Sequence, residues 1–241
     1  MTSLTTPTKR LLQAITFLML CLSPTLHANE ASVQKALEKK LGTPLNGVQK
    51  GAMGFYEVQM GDGTLVYVDE KLRVLFAGEM IDLKNMRNLT EERMRVLSAV
   101  PFEDLPLSQA LKIVRGNGKR VFASFEDPNC GYCKRLVKSL DEISDFTLYT
   151  FVVPALGLDS LKKSRQIWCS EDKLQAWHDW MVDGKAVSEK EDCEDVSVIE
   201  KNIALAKQLR VNGTPTLIFS DGERIPGLMP VNEIEKKLGK H

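Results

Sequence analysis

Neither sign of charge predominates in this sequence, in which 32 Lys and Arg stand against 32 Asp and Glu over 241 residues. A chain with no net field has nothing general to draw it to nucleic acid or to an anionic membrane surface, and no nucleic-acid partner is expected. Histidine is scarce: three in all, and beyond residue 28 only His178 and His241. That is too few imidazoles for an ordinary zinc site, and no metal is expected. There is no internal repeat, no low-complexity segment, and no apolar run of the roughly 20 residues that cross a bilayer. What remains, 43% hydrophobic and 27% charged residues, is the composition of a folded globular chain.

The longest apolar stretch, Leu11 to Leu22, follows Lys9 and Arg10 and gives way to a polar exit from Ser23 to Ala28. This order reads as a secretory signal over residues 1–28 with cleavage near Ala28. Leu26 is larger than the small residue usual three places before the cut, which leaves the cut free to move by a few residues. Cleavage removes two basic residues and no acidic ones, so the mature chain stays near neutral. Cys21 leaves with the signal, and four cysteines remain, an even number that suits disulfides in an exported protein. Three pairings are possible. Cys130 and Cys133 are close enough to pair with each other, which leaves Cys169 with Cys193.

Beyond the signal the chain divides into two kinds of pattern. Val33, Ala36, Leu37 and Leu41 recur at helical spacing and stop at Gly42 and Pro44. Tyr56, Val58 and Met60 then alternate with polar residues, Gly61-Asp62-Gly63 makes a hairpin connection, and Thr64 to Val68 and Arg73 to Phe76 read as strands. A unit of this size, residues 29–88, buries little core alone and calls for a partner surface. Glu91 to Val100 is a short helix, capped by Asn88 or Thr90 and ended by Pro101, and reads as a connector between domains, or else as the first helix of the second.

Strands and helices alternate after it: Val121 to Phe125, a helix from Gly131 to Ile143, and Phe146 to Val153. A long helical stretch from Leu158 to Val182 and another from Val196 to Leu209 follow. The chain closes with Thr216 to Phe219, a turn at Asp221-Gly222, Arg224-Ile225, and a helix from Val231 to Leu238. Trp168, Trp177 and Trp180 are expected in the packing of the long helix, with His178 on its surface.

The chemistry is concentrated in Cys130-Gly131-Tyr132-Cys133. Two thiols separated by two residues at a helix start close and open a disulfide reversibly. Pro128 ends the preceding strand, so Cys130 falls where unpaired N–H groups and the positive helix end favour a thiolate, with Lys134 and Arg135 nearby. Cys130 is therefore expected as the attacking, low-pKa thiol. Cys133, one turn further in, is the more buried resolving thiol. A half zinc site lacks its other ligands, and a disulfide closing so short a loop is a poor staple. The Cys169–Cys193 loop of about 25 residues is a better one, worth roughly 3 kcal/mol.

With these cysteines go Gly157-Leu158-Asp159-Ser160, Ile167-Trp168-Cys169, Val211-Asn212-Gly213-Thr214-Pro215-Thr216 and Ile225-Pro226-Gly227. Together they make the chain, from signal to C-terminus, resemble the DsbC and DsbG family of bacterial periplasmic disulfide isomerases. Gly131 and Tyr132 between the cysteines look like the DsbC branch, where DsbG-type chains typically carry proline.

The resemblance implies an α+β fold: a dimerisation domain at 29–88, a linker helix and connection at 89–106, and a thioredoxin-like α/β domain with a helical insertion at 107–241. It implies a homodimer in the periplasm of a Gram-negative bacterium, acting on misfolded disulfide-containing exported proteins without a cofactor. A membrane reductase of the DsbD kind would keep the pair reduced. Thr214-Pro215 matches the family's cis-proline loop, which exposes backbone to a substrate strand, and Thr214 would also tune the sulfurs.

One position departs from the pattern of thioredoxins and related oxidases. Six residues before the first cysteine they often carry a buried carboxylate, and here that residue is Ser124. Glu126 and Asp127 are nearer to the cysteines, but strand alternation lets at most one face the site, and either is free to be solvated. Other readings are a dimeric holder of unfolded chains with incidental cysteines, a DsbG-like reductase of single oxidised cysteines, and a plain oxidase. The N-terminal unit speaks against the oxidase, because DsbA-like oxidases lack it.

Overall fold

The computed structural model describes residues 30–239, so the signal and its cleavage site lie outside the described residues. The chain forms two compact units that divide between Gly78 and Glu79. The first consists of helix α1 (Glu30–Leu41) and a four-stranded antiparallel sheet of β1 (Leu45–Lys50), β2 (Phe55–Met60), β3 (Leu65–Asp69) and β4 (Leu75–Phe76) in that order. Val33 and Leu37 of α1 pack on Val48, Tyr56, Val58, Val66 and Val68. This is the alternation read in the sequence, with Gly42 at φ 69° ending the helix.

Two details of this unit differ from expectation. Strand β1 was not anticipated, because the pairing shifts register between Leu45 and Gly47 and so spaces the buried Leu45 and Val48 by three rather than two. The strand expected from Arg73 shrinks to two residues. The Arg73 and Val74 N–H groups both donate to Asp69 Oδ1, at 2.6 and 2.7 Å, and are spent on a turn instead of a ladder. Those bonds, Val74's foremost, hold the Asp69 carboxyl at about 2.

The second unit opens with a small ribbon of β5 (Ile81–Asp82) and β6 (Arg87–Asn88) that runs into helix α2 (Leu89–Leu97). Of the two candidate caps Asn88 is the one used, and Thr90, inside the helix, ties it back to the ribbon. Asn88 Oδ1 accepts the Glu91 N–H at 3.0 Å, and the Thr90 hydroxyl accepts the Met80 N–H at 2.8 Å. The helix stops three residues short of the expected Val100, whose N–H bonds the Gly222 carbonyl at 2.9 Å.

A five-stranded sheet follows, built from β7 (Leu111–Arg115), β8 (Val121–Glu126), β9 (Phe146–Val152), β10 (Thr216–Phe219) and β11 (Arg224–Pro226). Its order is β11-β10-β8-β9-β7, with β8 and β9 parallel and the other pairs antiparallel. Helices α3 (Gly131–Ser139) and α7 (Val231–Leu238) cover one face through Phe122, Leu136, Leu217, Phe219 and Ile234. Helix α6 (Val198–Gln208) covers the other, where Ala123, Phe125, Phe151 and Ile218 pack with Ala206. Edge strand β7 was missed, since only Leu111 of its five residues is buried and its pattern is too weak to read.

The long helix expected over Leu158 to Val182 is two helices, α4 (Leu158–Trp168) and α5 (Lys173–His178), followed by a π turn over Asp179–Asp183. Asp172 caps α5 by accepting the Gln175 N–H at 2.9 Å. Trp168, Trp177 and Met181 share one core and kept the apolar spacing running across the break, which hid it in the sequence. Cys169, directly after α4, forms a disulfide with Cys193, Cα to Cα 5.6 Å. Replacing both by alanine is expected to lower the unfolding free energy of this unit by about 3 kcal/mol, read as a fall in the urea midpoint at unchanged slope.

Candidate functional site

Strand β8 ends at Glu126, and the loop Asp127-Pro128-Asn129 delivers the chain to α3. Its shape is held from several sides. The Asp127 carboxylate accepts the N–H groups of Asn129 (2.7 Å) and Leu156 (2.8 Å) and the hydroxyl of Ser160 (2.9 Å). Trp180, turned in by the π segment, donates its indole N–H to the Pro128 carbonyl at 2.7 Å. The Cys130 N–H bonds the Asp127 carbonyl at 3.1 Å.

Cys130 is thereby fixed as the N-cap of α3, 7% exposed, while Cys133 one turn later is wholly buried. Both are free cysteines. Gly131 and Tyr132 lie on the open side: nothing within 4 Å meets a Cβ built on Gly131, and Tyr132 is exposed with the Arg135 guanidinium 4.3 Å from its ring centre. The Thr214–Pro215 peptide is cis, and the Cys130 thiol donates to the Thr214 carbonyl at 3.3 Å. Residues 84 apart in sequence are thus brought into contact. Cys169 and Cys193 form their own bond outside this contact, and Cys193 packs against the core that contains Cys130 and Cys133.

The carboxylates resolve differently from the sequence reading. Neither is solvated, since Glu126 and Asp127 are both 0% exposed. Counting in twos along β8 from Phe122, which packs under α3, puts Ser124 and Glu126 on that same face. Ser124 does not replace the acid. Its hydroxyl donates to Glu126 Oε1 at 2.5 Å and lies 3.4 Å from the Thr150 hydroxyl. Among the described residues Glu126 Oε2 has no partner at hydrogen-bonding geometry. Burial raises the Glu126 carboxyl to about 7, against the opposing influence of the Ser124 and Thr150 hydroxyls. Burial, reinforced by the negative charge of Glu126, pushes the Cys133 thiol far above its ordinary range. The two groups are thus electrostatically coupled, and the acid's own pKa sits near neutrality.

Comparison with known proteins agrees with this geometry. Residues 107–241 match the family described as a thioredoxin-like domain, and residues 24–91 match the disulfide bond isomerase protein N-terminal domain. A probable thiol:disulfide interchange protein DsbC of Bordetella pertussis is 42% identical over 209 residues, covering 87% of this chain and 74% of that protein. The chain belongs to the DsbC family of thiol:disulfide interchange proteins. The DsbC of Escherichia coli K12 is 28% identical over 221 residues, 89% of each chain. A solved disulfide interchange protein of Neisseria gonorrhoeae is 38% identical, with a TM-score of 0.52, covering 56% of this chain and 97% of that one.

In this DsbC-family enzyme two parts of the site escaped the sequence reading. Trp180 as a strut for the loop left no signal at all, and Glu126 required knowing which face of β8 lies under α3. The acid carries a stability signature whose sign follows from its shift. Its folded pKa, about 7, lies above the ordinary 4.5, so the folded state holds the proton more tightly and stability is lost as pH rises through that window. Glu126→Gln removes this loss. Between pH 4.5 and pH 8 the wild type is expected to lose about 3 kcal/mol relative to the variant in urea unfolding, and parallel pH profiles would contradict the assignment.

Proposed function

We propose that this thiol-disulfide oxidoreductase reshuffles incorrect disulfides of exported proteins in the periplasm, with Cys130 as nucleophile and Cys133 as resolving thiol. The observation that carries the reading is the contact of the Cys130 sulfur with the carbonyl of the cis Thr214–Pro215 peptide, with the second thiol buried behind it beside an acid. A substrate strand laid against this loop meets a proline with no N–H and a backbone turned outward, so its sulfur is presented to Cys130.

In the first step the Cys130 thiolate attacks one sulfur of the substrate disulfide. That S–S bond breaks, a Cys130–substrate disulfide forms, and the displaced substrate sulfur leaves as a thiolate. If another substrate thiolate attacks the mixed disulfide, Cys130 is released and the substrate has changed its pairing with no net oxidation. If none does, Cys133 gives its proton to Glu126 and attacks Cys130. The substrate departs reduced, and a Cys130–Cys133 disulfide remains for an external dithiol to reduce. A membrane reductase of the DsbD kind fits that need in an oxidising compartment. Thr214 and Pro215 position the substrate, and Gly131 and Tyr132 form the open rim above the sulfur.

The first unit supports a homodimer. Strand β4 is an edge of its sheet and leaves Leu75 and Phe76, with the adjoining Val74, exposed. Such an edge is suited to two-fold pairing with a second copy. Two redox sites in one dimer keep a misfolded chain near a nucleophile through repeated attempts.

Reactivation of scrambled ribonuclease tests the chemistry. Cys130→Ser is expected to lose essentially all activity, while Cys133→Ala accumulates mixed disulfides visible on non-reducing gels. A Cys130→Ser variant as active as wild type would overturn the assignment. Light scattering on the mature chain at micromolar concentration is expected to give twice the chain mass, and a monomer would remove the dimer.

A further inference from the structure

Cys130 and Cys133 share the first turn of α3, and one side chain from the helical insertion holds the chain on both sides of that turn. Before it, the Pro128–Asn129 peptide is pinned through both of its polar atoms. Its N–H donates to Asp127 Oδ1 at 2.7 Å, and its carbonyl accepts the Trp180 indole N–H at 2.7 Å. After it, the ammonium of Lys134, the residue that follows Cys133, lies 4.4 Å from the centre of the Trp180 ring. One indole therefore brackets the segment that carries both thiols.

The bracket is itself anchored. Lys163 of α4 places its ammonium 4.2 Å from the centre of the same ring. Trp180 lies in the π turn, packs against the core that contains Cys130 and Cys133, and belongs to the loop closed by the Cys169–Cys193 disulfide. Of the two bonds to the Pro128–Asn129 peptide, the one from Asp127 is local, and the one from Trp180 reaches in from another element. Pro128 is buried, so its carbonyl, deprived of the indole, has to turn to find another donor. Asn129 and Cys130 turn with it.

We propose that Trp180 is a positioning residue of thiol exchange that sets the effective concentration of the Cys133 thiol at Cys130, and with it how a mixed disulfide is resolved. It acts through the backbone before Cys130 and takes no part in the exchange of bonds. Two thiols on a backbone already fixed lose less freedom on joining than two thiols on a loose one, so the bracket favours closure of the Cys130–Cys133 ring. With the bracket intact, Cys133 competes well and the substrate departs reduced. With it loosened, the mixed disulfide persists until another substrate thiolate attacks. This rests on the thiol-exchange function proposed above and adds to it a determinant of the balance between reduction and reshuffling.

Equilibration of the mature protein with glutathione buffers tests this. The Cys130 thiolate attacks glutathione disulfide, whose S–S bond breaks, and the first glutathione leaves. Cys133 then attacks Cys130, the Cys130–glutathione bond breaks, and the second glutathione leaves with the proton that Cys133 gave up. The pair is oxidised by two electrons and one glutathione disulfide is reduced to two thiols. Acid quenching, alkylation and mass spectrometry count the dithiol, mixed-disulfide and disulfide forms without relying on tryptophan emission. The closure constant is the disulfide form times free glutathione, divided by the mixed disulfide. In Trp180→Phe it is expected to fall about fivefold, the worth of about one net hydrogen bond, and glutathione release from the mixed disulfide should slow with it.

Exchanging Trp180 for its benzothiophene isostere, which keeps the ring and replaces only the N–H by sulfur, should give the same fall and serves if phenylalanine prevents folding. A merely structural indole would lower the urea midpoint and leave the closure constant alone. A closure constant equal to or above that of the wild type in either variant would overturn the inference, whatever the change in stability. A wild-type protein whose Cys130 and Cys133 do not react with glutathione disulfide at all would instead overturn the thiol-exchange function, and the inference with it.

Discussion

Asp127 sits fully buried at the end of β8, and its two carboxylate oxygens take the backbone N–H groups of Asn129 and Leu156 and the hydroxyl of Ser160. A carboxylate in such a place is tolerable only because donors surround it. In meeting that need it ties the loop before α3 to the loop before α4. The position of Cys130, and hence its contact with Thr214, depends on this tie. Trp180 completes it from the helical insertion, where the π turn lets one indole reach the Pro128 carbonyl.

Neighbouring acids in the same buried region have opposite fates. Asp127 is surrounded by donors, whereas Glu126 keeps one oxygen bonded to Ser124 and the other without a partner. Incomplete solvation is what raises Glu126 to about 7. The protein interior opposes charge at Cys133, whose thiol is pushed far above its ordinary range. Two chemically identical thiols are thereby given unequal surroundings by three residues of separation and one turn of helix.

Much of the architecture was legible because it rests on local rules. Alternation in β2, β3, β8 and β10, the Asn88 cap, the Gly42 stop and the Cys130–Cys133 spacing depend on near neighbours, so they survive in the linear code. Pairing of Cys169 with Cys193 followed from counting. Where the signal depended on distant partners, it was lost. Strand β1 was hidden by a bulge against β2, the long helix broke at Asp172 while its tryptophans kept their spacing, and β7 was too exposed to show a pattern.

The same limit separates the thiols from their surroundings. The pair proposed to exchange disulfides was legible in the sequence, since two cysteines two residues apart at a helix start can carry that chemistry. Which acid faces Cys133, which indole braces the loop and which carbonyl meets Cys130 were decided only by tertiary structure. A side chain's periodicity says which residues share a face, but only packing says what that face is turned toward.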